Sequence, residues 1–236
     1  MIDVRRAADR YRGGDPAQGV DSRHAFSFGP HYDPDNLRFG LLLACNEERL
    51  APGAGFAEHP HRDTEIVTWV LAGALEHRDA EGRTARLRPG DLQHLSSAGG
   101  VRHTERNAGD TPLRFLQMWL HPDTFGGDPA YTAVTDPAPP GPGLRPLASG
   151  EREAPVRLRQ RAATLYAGRP AEADAVALPE APYLYVHVVS GDVRLGGASL
   201  GPGDAARITG ERGVRARTGG PAEYLVWEMH GEPTYG

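Results

Sequence analysis

Short apolar runs that end at glycine- and proline-containing turns recur along the chain. From Glu65 to Leu95 the sequence reads EIVTWVLAGALEHRDAEGRTARLRPGDLQHL, in which the turns AGA, DAEGR and RPGD separate the runs. Such runs are typical of β-strands joined by tight turns. Glycine (30 residues) and proline (21 residues) are frequent. We therefore predict an all-β fold with many short strands.

The same pattern returns in the second half of the chain. YLYVHVVSGDVRLGGASLGPGDAARI again gives an apolar strand, a glycine turn, a short strand and a Pro-Gly-Asp turn. Gly191 follows Gly73 by 118 positions and Pro202 follows Pro89 by 113, so the second copy is about five residues shorter. Because 236 residues suffice for two domains with separate cores, two related β domains are predicted rather than one large domain.

A proline- and glycine-rich segment separates the two copies. It contains TDPAPPGPGLRPLASGER and shows neither the strand nor the helix period. We predict an N-terminal domain over 1–125, a linker over 126–152 and a C-terminal domain over 153–236.

Composition and charge exclude several classes of protein. The formal net charge is -5, which argues against direct binding of nucleic acid. The start of the chain lacks the apolar stretch of a signal peptide, and no window approaches the roughly 18 apolar residues of a membrane span. We therefore expect a cytoplasmic protein that does not contact membranes. Cys45 is the single cysteine and is interpreted as a small core residue.

A cluster of metal-ligating residue types follows Gly53. His59, His61 and Glu65 are spaced by two and four residues. Residues two apart on a strand share a face, so all three side chains could point into one cavity.

A second pair of ligand types comes about forty residues later. His103 and Glu105 are again two residues apart. If the two strands lie side by side, they bring together three imidazoles and a carboxylate, a set that suits a divalent first-row metal and resembles non-haem iron sites with open positions. Iron is the first candidate. On parity alone, either Glu65 or Glu105 could supply the carboxylate.

These spacings resemble the two motifs of the cupin superfamily. The first motif has the glycine, His-x-His and glutamate spacing of Gly53 to Glu65, and the second ends with the spacing of Gly100, His103 and Asn107. The usual proline two residues before the second glycine is Ala98 here. The resemblance implies two tandem jelly-roll β-barrels, a bicupin.

Finer features resemble the pirin family, including its bacterial quercetinase-like members. The blocks that carry this resemblance are HAFSFGPHYDPDN (24–36), APGAGFAEHPHRDTEIVTWVLAGALEHRD (51–79), LRPGDLQHLSSAGGVRHTE (87–105) and LQMWL (116–120).

The pirin resemblance also implies a ligand set. It assigns the metal to His59, His61, His103 and Glu105, and leaves Glu65 as a supporting residue. One divalent transition metal per chain is expected, iron first, with nickel, manganese, cobalt, copper and zinc as alternatives.

The second copy has lost the ligands. The counterparts of His59 and His61 are Ala177 and Pro179. Those of His103 and Glu105 are Ala216 and Thr218, and none of the four can bind a metal as imidazole or carboxylate does. We therefore predict a degenerate C-terminal cupin domain without a metal site.

The resemblance implies an oxygenase. A pirin of this type is expected to cleave flavonols such as quercetin with O2, and Glu105 would be both ligand and catalytic base. The alternatives are a redox-sensing regulatory protein that binds a protein partner through its metal-loaded domain, and an isomerase or epimerase on the cupin scaffold. Outside the ligand set, His94 is a candidate for the cavity wall, whereas His24 and His77 are interpreted as surface or core residues.

Overall fold

The computed structural model describes residues 1–233, and strands dominate it. The strands of the first half are β1 (Ile2–Arg5), β2 (Tyr11–Asp15), β3 (Val20–His24), β4 (Leu42–Leu50), β5 (Gly55–His61), β6 (Glu65–Ala72), β7 (Leu75–Asp79), β8 (Thr84–Leu87), β9 (Leu92–Ser96), β10 (Val101–Asn107) and β11 (Leu113–Leu120). Those that follow are β12 (Ala130–Val134), β13 (Gly141–Ser149), β14 (Val156–Arg157), β15 (Ala163–Arg169), β16 (Asp174–Ala177), β17 (Tyr183–Ser190), β18 (Val193–Leu195), β19 (Ala198–Leu200), β20 (Ala205–Thr209), β21 (Arg215–Thr218) and β22 (Glu223–Met229).

The helices of the described residues are two short 3-10 turns, Ala7–Asp9 and Pro16–Gln18. Among residues 1–233, no helix has the length and hydrophobicity that crossing a membrane requires.

The first domain is a barrel of two facing sheets. Its larger sheet has the order β12-β9-β6-β11-β4-β3-β2, and its smaller sheet has the order β5-β10-β7-β8. A cluster that includes Val70 and Phe115 from the larger sheet and Leu75 and Leu87 from the smaller one fills the space between them. The strands alternate inward and outward side chains, as in β10, where every second residue is buried.

The second domain repeats this architecture. A seven-stranded sheet, β1-β20-β17-β22-β15-β13-β14, faces a four-stranded sheet, β16-β21-β18-β19. An apolar cluster that includes Val186, Val226, Leu195 and Ala216 lies between the two sheets. The prediction of an all-β protein with two tandem cupin domains is confirmed.

The two domains share one large apolar core. The cluster at their interface includes Trp69 and Met118 from the first domain and Leu165 and Trp227 from the second, all fully buried. The Trp227 indole N–H lies 3.2 Å from the Met118 sulfur. Burial of this size makes a rigid pairing of the domains the stable arrangement.

The chain crosses between the domains at its N-terminus. β1 pairs antiparallel with β20, so the first strand of the chain belongs to the sheet of the second domain. The predicted first domain, 1–125, therefore does not hold all of its residues in one barrel. A four-residue strand offers no sequence signal for which of two similar sheet edges it will join. The predicted second domain, 153–236, ends three residues outside the described part of the chain.

The segment 126–152 differs from the predicted linker because it contains two strands. β12 pairs with β9 at the edge of the first domain, and β13 pairs with β15 in the second. Proline and glycine are tolerated here because β12 is an edge strand and because the β13–β15 register shifts between Gly141 and Leu144 and between Pro146 and Ala148. Irregular pairing of this kind removes the period that a sequence pattern would show.

Candidate metal centre

Three histidine rings converge at the inner face of the smaller sheet of the first domain. β5 and β10 pair antiparallel, with His59 opposite His103 and Val101 opposite His61. The ring centroids lie 4.8 Å apart for His59 and His61, 4.5 Å for His59 and His103, and 4.9 Å for His61 and His103. One ring nitrogen of each residue lies within 4.8 Å of those of the other two, a spacing that a single metal ion can bridge.

Each of the three rings has a nitrogen free for a cation. His59 Nδ1 lies 2.8 Å from the carbonyl oxygen of Ala57, and because a carbonyl only accepts, this nitrogen carries the proton and Nε2 keeps its lone pair. The Nε2 atoms of His61 and His103 are buried and have no hydrogen-bond partner. Buried unpaired acceptors are costly, so this donor set fits a transition-metal ion.

Burial keeps two of these imidazoles neutral. Desolvation, reinforced by His59, lowers the pKa of His61 to about 4. Desolvation and the neighbouring histidines lower the pKa of His103 to about 2. Neutral imidazole is the form that ligates metals.

Glu105 lies on the same strand as His103 and is fully buried. Gln93 Nε2 donates to its Oε1 at 2.5 Å, and Gln117 Nε2 donates to its Oε2 at 2.6 Å. Burial raises the pKa of Glu105 to about 7, although both amide hydrogen bonds oppose the shift. Glu105 forms a second group of potential ligands with His103 and His77, and His103 belongs to both groups.

Glu65 points away from the three histidines. Asp63 has a φ of 51°, and this left-handed residue ends the extended segment between His61 and Glu65, so the two no longer share a face. The Glu65 carboxylate accepts hydrogen bonds from His94 and Ser96.

The contacts of Glu65 reach into the second domain. The Arg159 backbone N–H donates to its carboxylate at 2.8 Å. Burial would raise the pKa of Glu65, but the hydrogen bonds from His94, Arg159 and Ser96 together lower it. Glu65 therefore anchors the interface between the domains, and His94 is its partner rather than a residue of the cavity wall.

Sequence reasoning missed the polar residues that surround Glu105. Gln93 and Gln117 lie in two of the blocks that resemble the pirin family but outside the ligand set that the resemblance implies, and His77 is predicted to be a surface or core residue. His77 is buried opposite Glu105 in the β7–β10 register, its Nδ1 lies 3.3 Å from His103 Nδ1, and its ring stacks on Tyr131 at 4.3 Å. Only the strand register brings these side chains together, so no local signal could have found them.

A cavity of about 320 Å³ opens beside the three histidines. Its volume lies near the lower end of the range of about 300–1,000 Å³ typical of small-molecule sites. The residues that line it are Gly13, Gly14, Ser22, His24, Phe28, Gly29, Pro30, Asn46, Glu48, Phe56, His59, His61, Gln117 and Trp119. The edge of Trp119 meets the His61 ring at 5.0 Å, and Phe28 meets Trp119 at 5.1 Å. The cavity therefore has aromatic walls next to the candidate metal ligands.

Glu48 is a second buried carboxyl group in this cavity. Ser22 Oγ donates a hydrogen bond to its Oε2. Burial raises the pKa of Glu48 to about 7, and the nearby charge of Glu105 adds to the rise. An acid that titrates near neutrality in a cavity is a candidate for proton transfer.

The second domain places apolar or small residues where the first has its ligands. Within residues 1–233, both groups of potential metal ligands lie in the first domain. Ala216 is buried in the apolar cluster of the second barrel, and Thr218 Oγ1 accepts a hydrogen bond from the Asp174 N–H.

Two family profiles match consecutive parts of the chain. The Pirin profile matches residues 4–120, and the profile described as the quercetinase C-terminal cupin domain matches residues 147–229. A Mycobacterium tuberculosis protein named "Putative quercetin 2,3-dioxygenase" is 43% identical over 236 residues, covering 97% of this chain and 95% of its own. The quercetin 2,3-dioxygenase of Escherichia coli K12 is 30% identical over 232 residues, covering 97% of this chain and 99% of its own.

Solved structures agree with this relationship. The bacterial pirin YhhW from Escherichia coli, in complex with nickel(II), superposes with a TM-score of 0.89 at 28% identity and covers 99% of this chain and 100% of its own. A quercetin 2,3-dioxygenase from Acinetobacter baumannii shares the fold, with a TM-score of 0.71 at 22% identity over 93% of this chain and 85% of its own. With both halves matched and the ligand spacing of the first motif intact, the chain belongs to the pirin family of cupin proteins.

Proposed function

We propose that this protein is a metal-dependent dioxygenase that cleaves flavonols such as quercetin. The observation that carries the proposal is a cluster of three converging histidines, two of which, His59 and His61, line a 320 Å³ cavity with aromatic sides. Relatives named as quercetin 2,3-dioxygenases support the choice of substrate class.

His59, His61, His103 and Glu105 would hold the metal. The three unpaired ring nitrogens and the buried carboxylate are ligands that iron, nickel, manganese, cobalt, copper and zinc all accept, and iron stays the first candidate. The relative with nickel(II) shows that a pirin of this fold takes a divalent ion. A bound ion would supply Lewis acidity and open positions for substrate oxygens.

The chain itself supplies binding, orientation and proton transfer. Phe28, Phe56 and Trp119 form apolar walls that suit a flat aromatic substrate and exclude water from it. Glu105 is assigned to accept the flavonol hydroxyl proton, since burial brings its pKa to about 7, near the value at which a general base works best. The amides of Gln93 and Gln117 fix the orientation of that carboxylate.

Oxygen uptake with quercetin tests the proposal. Protein stripped of metal is reloaded with each of the six candidate ions, and both oxygen consumption and carbon monoxide release are measured. We expect turnover with at least one ion and none with the His59→Ala variant. If no ion supports oxygen consumption although elemental analysis shows a loaded site, the dioxygenase assignment is wrong. A partner-binding regulator or an isomerase then becomes the better account.

A further inference from the structure

A second, smaller cavity of about 170 Å³ lies between the two domains, away from the three histidines. Residues of the N-terminal segment, the loop after β3 and the β17 and β20 strands of the second domain line it, among them Arg10, Asn36, Tyr185 and Arg207. It is larger than the roughly 10–15 Å³ that one water molecule needs. A molecule of several atoms can therefore enter it.

Two arginines of this cavity are buried without an ion-pair partner. Arg10 is 9% exposed and Arg207 is 6% exposed. Arg10 Nη2 donates to His187 Nδ1 at 3.1 Å, and Arg207 Nη2 donates to Asn36 Oδ1 at 2.5 Å. Both acceptors are neutral. Asn36 is an amide, and burial keeps the pKa of His187 well below its ordinary value. Within residues 1–233, neither guanidinium has a carboxylate within salt-bridge distance.

The nearby carboxylates are occupied elsewhere. The charge of Glu47 helps to raise the pKa of Arg10, but its carboxylate forms ion pairs with Arg49 at 2.9 Å and with Arg114 at 2.8 Å.

The two aspartates of the cavity lining do not neutralise the arginines either. The charge of Asp3 favours the charged form of Arg207, but its carboxylate forms an ion pair with Arg5 at 2.9 Å. Asp9 is exposed to solvent. The cavity therefore holds two buried guanidinium groups that form no ion pair with any described carboxylate.

A buried charge without an ion-pair partner is costly. We propose that the cavity between the domains is a binding site for a small oxyanion, held by Arg10 and Arg207. Guanidinium groups bind carboxylate and phosphate oxygens through paired charge-assisted hydrogen bonds. Arg207 uses only its Nη2 for protein acceptors, so its remaining Nη1 is available for the anion.

Such an anion would connect the domains. Arg10 follows the 3-10 turn after β1, whereas Arg207 lies on β20 of the second domain. One anion that bonds both would offset the two positive charges, fully only if it is doubly charged, and would stabilise this part of the domain interface. The site is independent of the metal centre and of the proposed dioxygenase activity.

Calorimetric titration with inorganic phosphate and with acetate tests the proposal. Ionic strength is held constant with chloride, and thermal unfolding is followed in parallel. We expect one phosphate or one acetate per chain and a rise in Tm that grows with anion concentration. The stronger of the two probes identifies the class of oxyanion. If neither anion binds, or if chloride raises Tm equally, the proposal is wrong.

Variants locate the site. Arg10→Gln and Arg207→Gln should each weaken binding about 10- to 100-fold, the loss expected for a charge-assisted hydrogen bond. Arg207→Lys keeps the charge and should weaken binding less than Arg207→Gln, so the proposal stays testable even if the glutamine variant fails to fold.

Two controls exclude other binding sites. Arg152→Gln removes an arginine that is already paired with Glu228, outside the cavity, and His59→Ala disables the candidate metal centre. Both should bind the anion as the unmodified protein does. A loss of binding in His59→Ala, with binding intact in both Arg10 and Arg207 variants, would assign the anion to the metal centre and overturn the proposal.

Discussion

The two barrels of this protein each pair a seven-stranded with a four-stranded sheet, but the interior of the first is polar and that of the second is apolar. In the first domain, β9, β6 and β11 place Gln93, Thr68 and Gln117 side by side in one cross-strand row. In the second domain, β20, β17 and β22 place Ala206 and Val226 on either side of Val186 in the matching row. The first row hydrogen-bonds Glu105, whereas the second packs into an apolar cluster.

The next row of the sheets differs in the same way. Glu48 pairs with Phe115 in the first domain, and Gly168 pairs with Tyr224 at the corresponding position of the second. A Cβ at Gly168 would overlap the Tyr224 ring, so the tyrosine fills the space that a side chain at residue 168 would need. An acid that lines a cavity in one barrel is thus replaced by a closed apolar contact in the other.

This difference shows that the fold does not need the polar interior. The second barrel is built from the same strand pattern with an apolar centre, which is the cheaper way to fill a β-barrel. Buried Gln, His and Glu side chains require complete hydrogen bonding to be tolerated. We infer that the first barrel keeps them for its site, and the following predictions test that inference.

The largest effect is expected for the histidines. His103→Ala should reduce bound metal from about one ion per chain to nearly none, because one of three converging imidazoles is lost. Elemental analysis of the purified protein measures the content. Thr218→Ala, at the counterpart of Glu105 in the second domain, should leave it unchanged. Two ions per chain, or metal loss in the Thr218 variant, would show that the second barrel also binds metal.

The next effect separates the two glutamates. Glu105→Gln keeps the volume but removes the negative charge, so flavonol turnover should fall roughly 10²- to 10⁴-fold, as expected for a lost general base. Glu65→Gln should retain metal and most of the turnover but lower the free energy of unfolding, because it weakens the contacts to His94 and Arg159. The opposite result, with metal lost only in Glu65→Gln, would make Glu65 the ligand.

A pH-dependent effect is expected for Glu48. Its pKa rises from 4.5 to about 7 on folding, so ionising Glu48 destabilises the folded state. Below about pH 4.5 Glu48 is protonated in both the folded and the unfolded state, so its raised pKa does not reduce the free energy of unfolding. As the pH rises through about 7, the folded state must ionise this buried group, and that part of the free energy of unfolding is lost.

Denaturant unfolding of metal-free Glu48→Gln, compared with the unmodified protein, measures this contribution. The variant should be more stable by up to about 3 kcal/mol at pH 8 and by much less at pH 4. Metal is removed first because a bound cation would itself lower the pKa of Glu48. A difference in stability that does not change with pH would mean that Glu48 is ionised throughout.

The smallest effects are expected when one interior residue of each barrel is replaced by its counterpart in the other barrel. Gln117→Val copies Val226 into the first barrel and removes one hydrogen bond from Glu105, so metal affinity should fall about 10-fold. Val226→Gln makes the reverse change and buries an amide among apolar side chains, which should cost about 1–3 kcal/mol of stability. Equal metal affinity in Gln117→Val and the unmodified protein would show that the amide does not position the carboxylate.

Much of the fold was readable from the sequence because its signals are local. Apolar runs with glycine turns indicate strands, and their repetition after 113 to 118 residues indicates two related β domains. The shared face of His59 and His61 was also predictable, whereas His103 joins them only through the pairing of β5 with β10. A spacing of two on a strand fixes a shared face whatever the rest of the chain does.

Tertiary structure decided which groups surround those histidines. The parity that placed Glu65 with them fails because Asp63 bends the chain, and the partners of Glu105 come from strands brought alongside by sheet register. The same holds for β1, which joins the sheet of the other barrel, and for Arg10 and Arg207, which line the cavity between the domains. Sequence spacing specifies which side chains share a face of one strand, but only the packed sheets determine what that face meets, because those contacts join residues far apart in the chain.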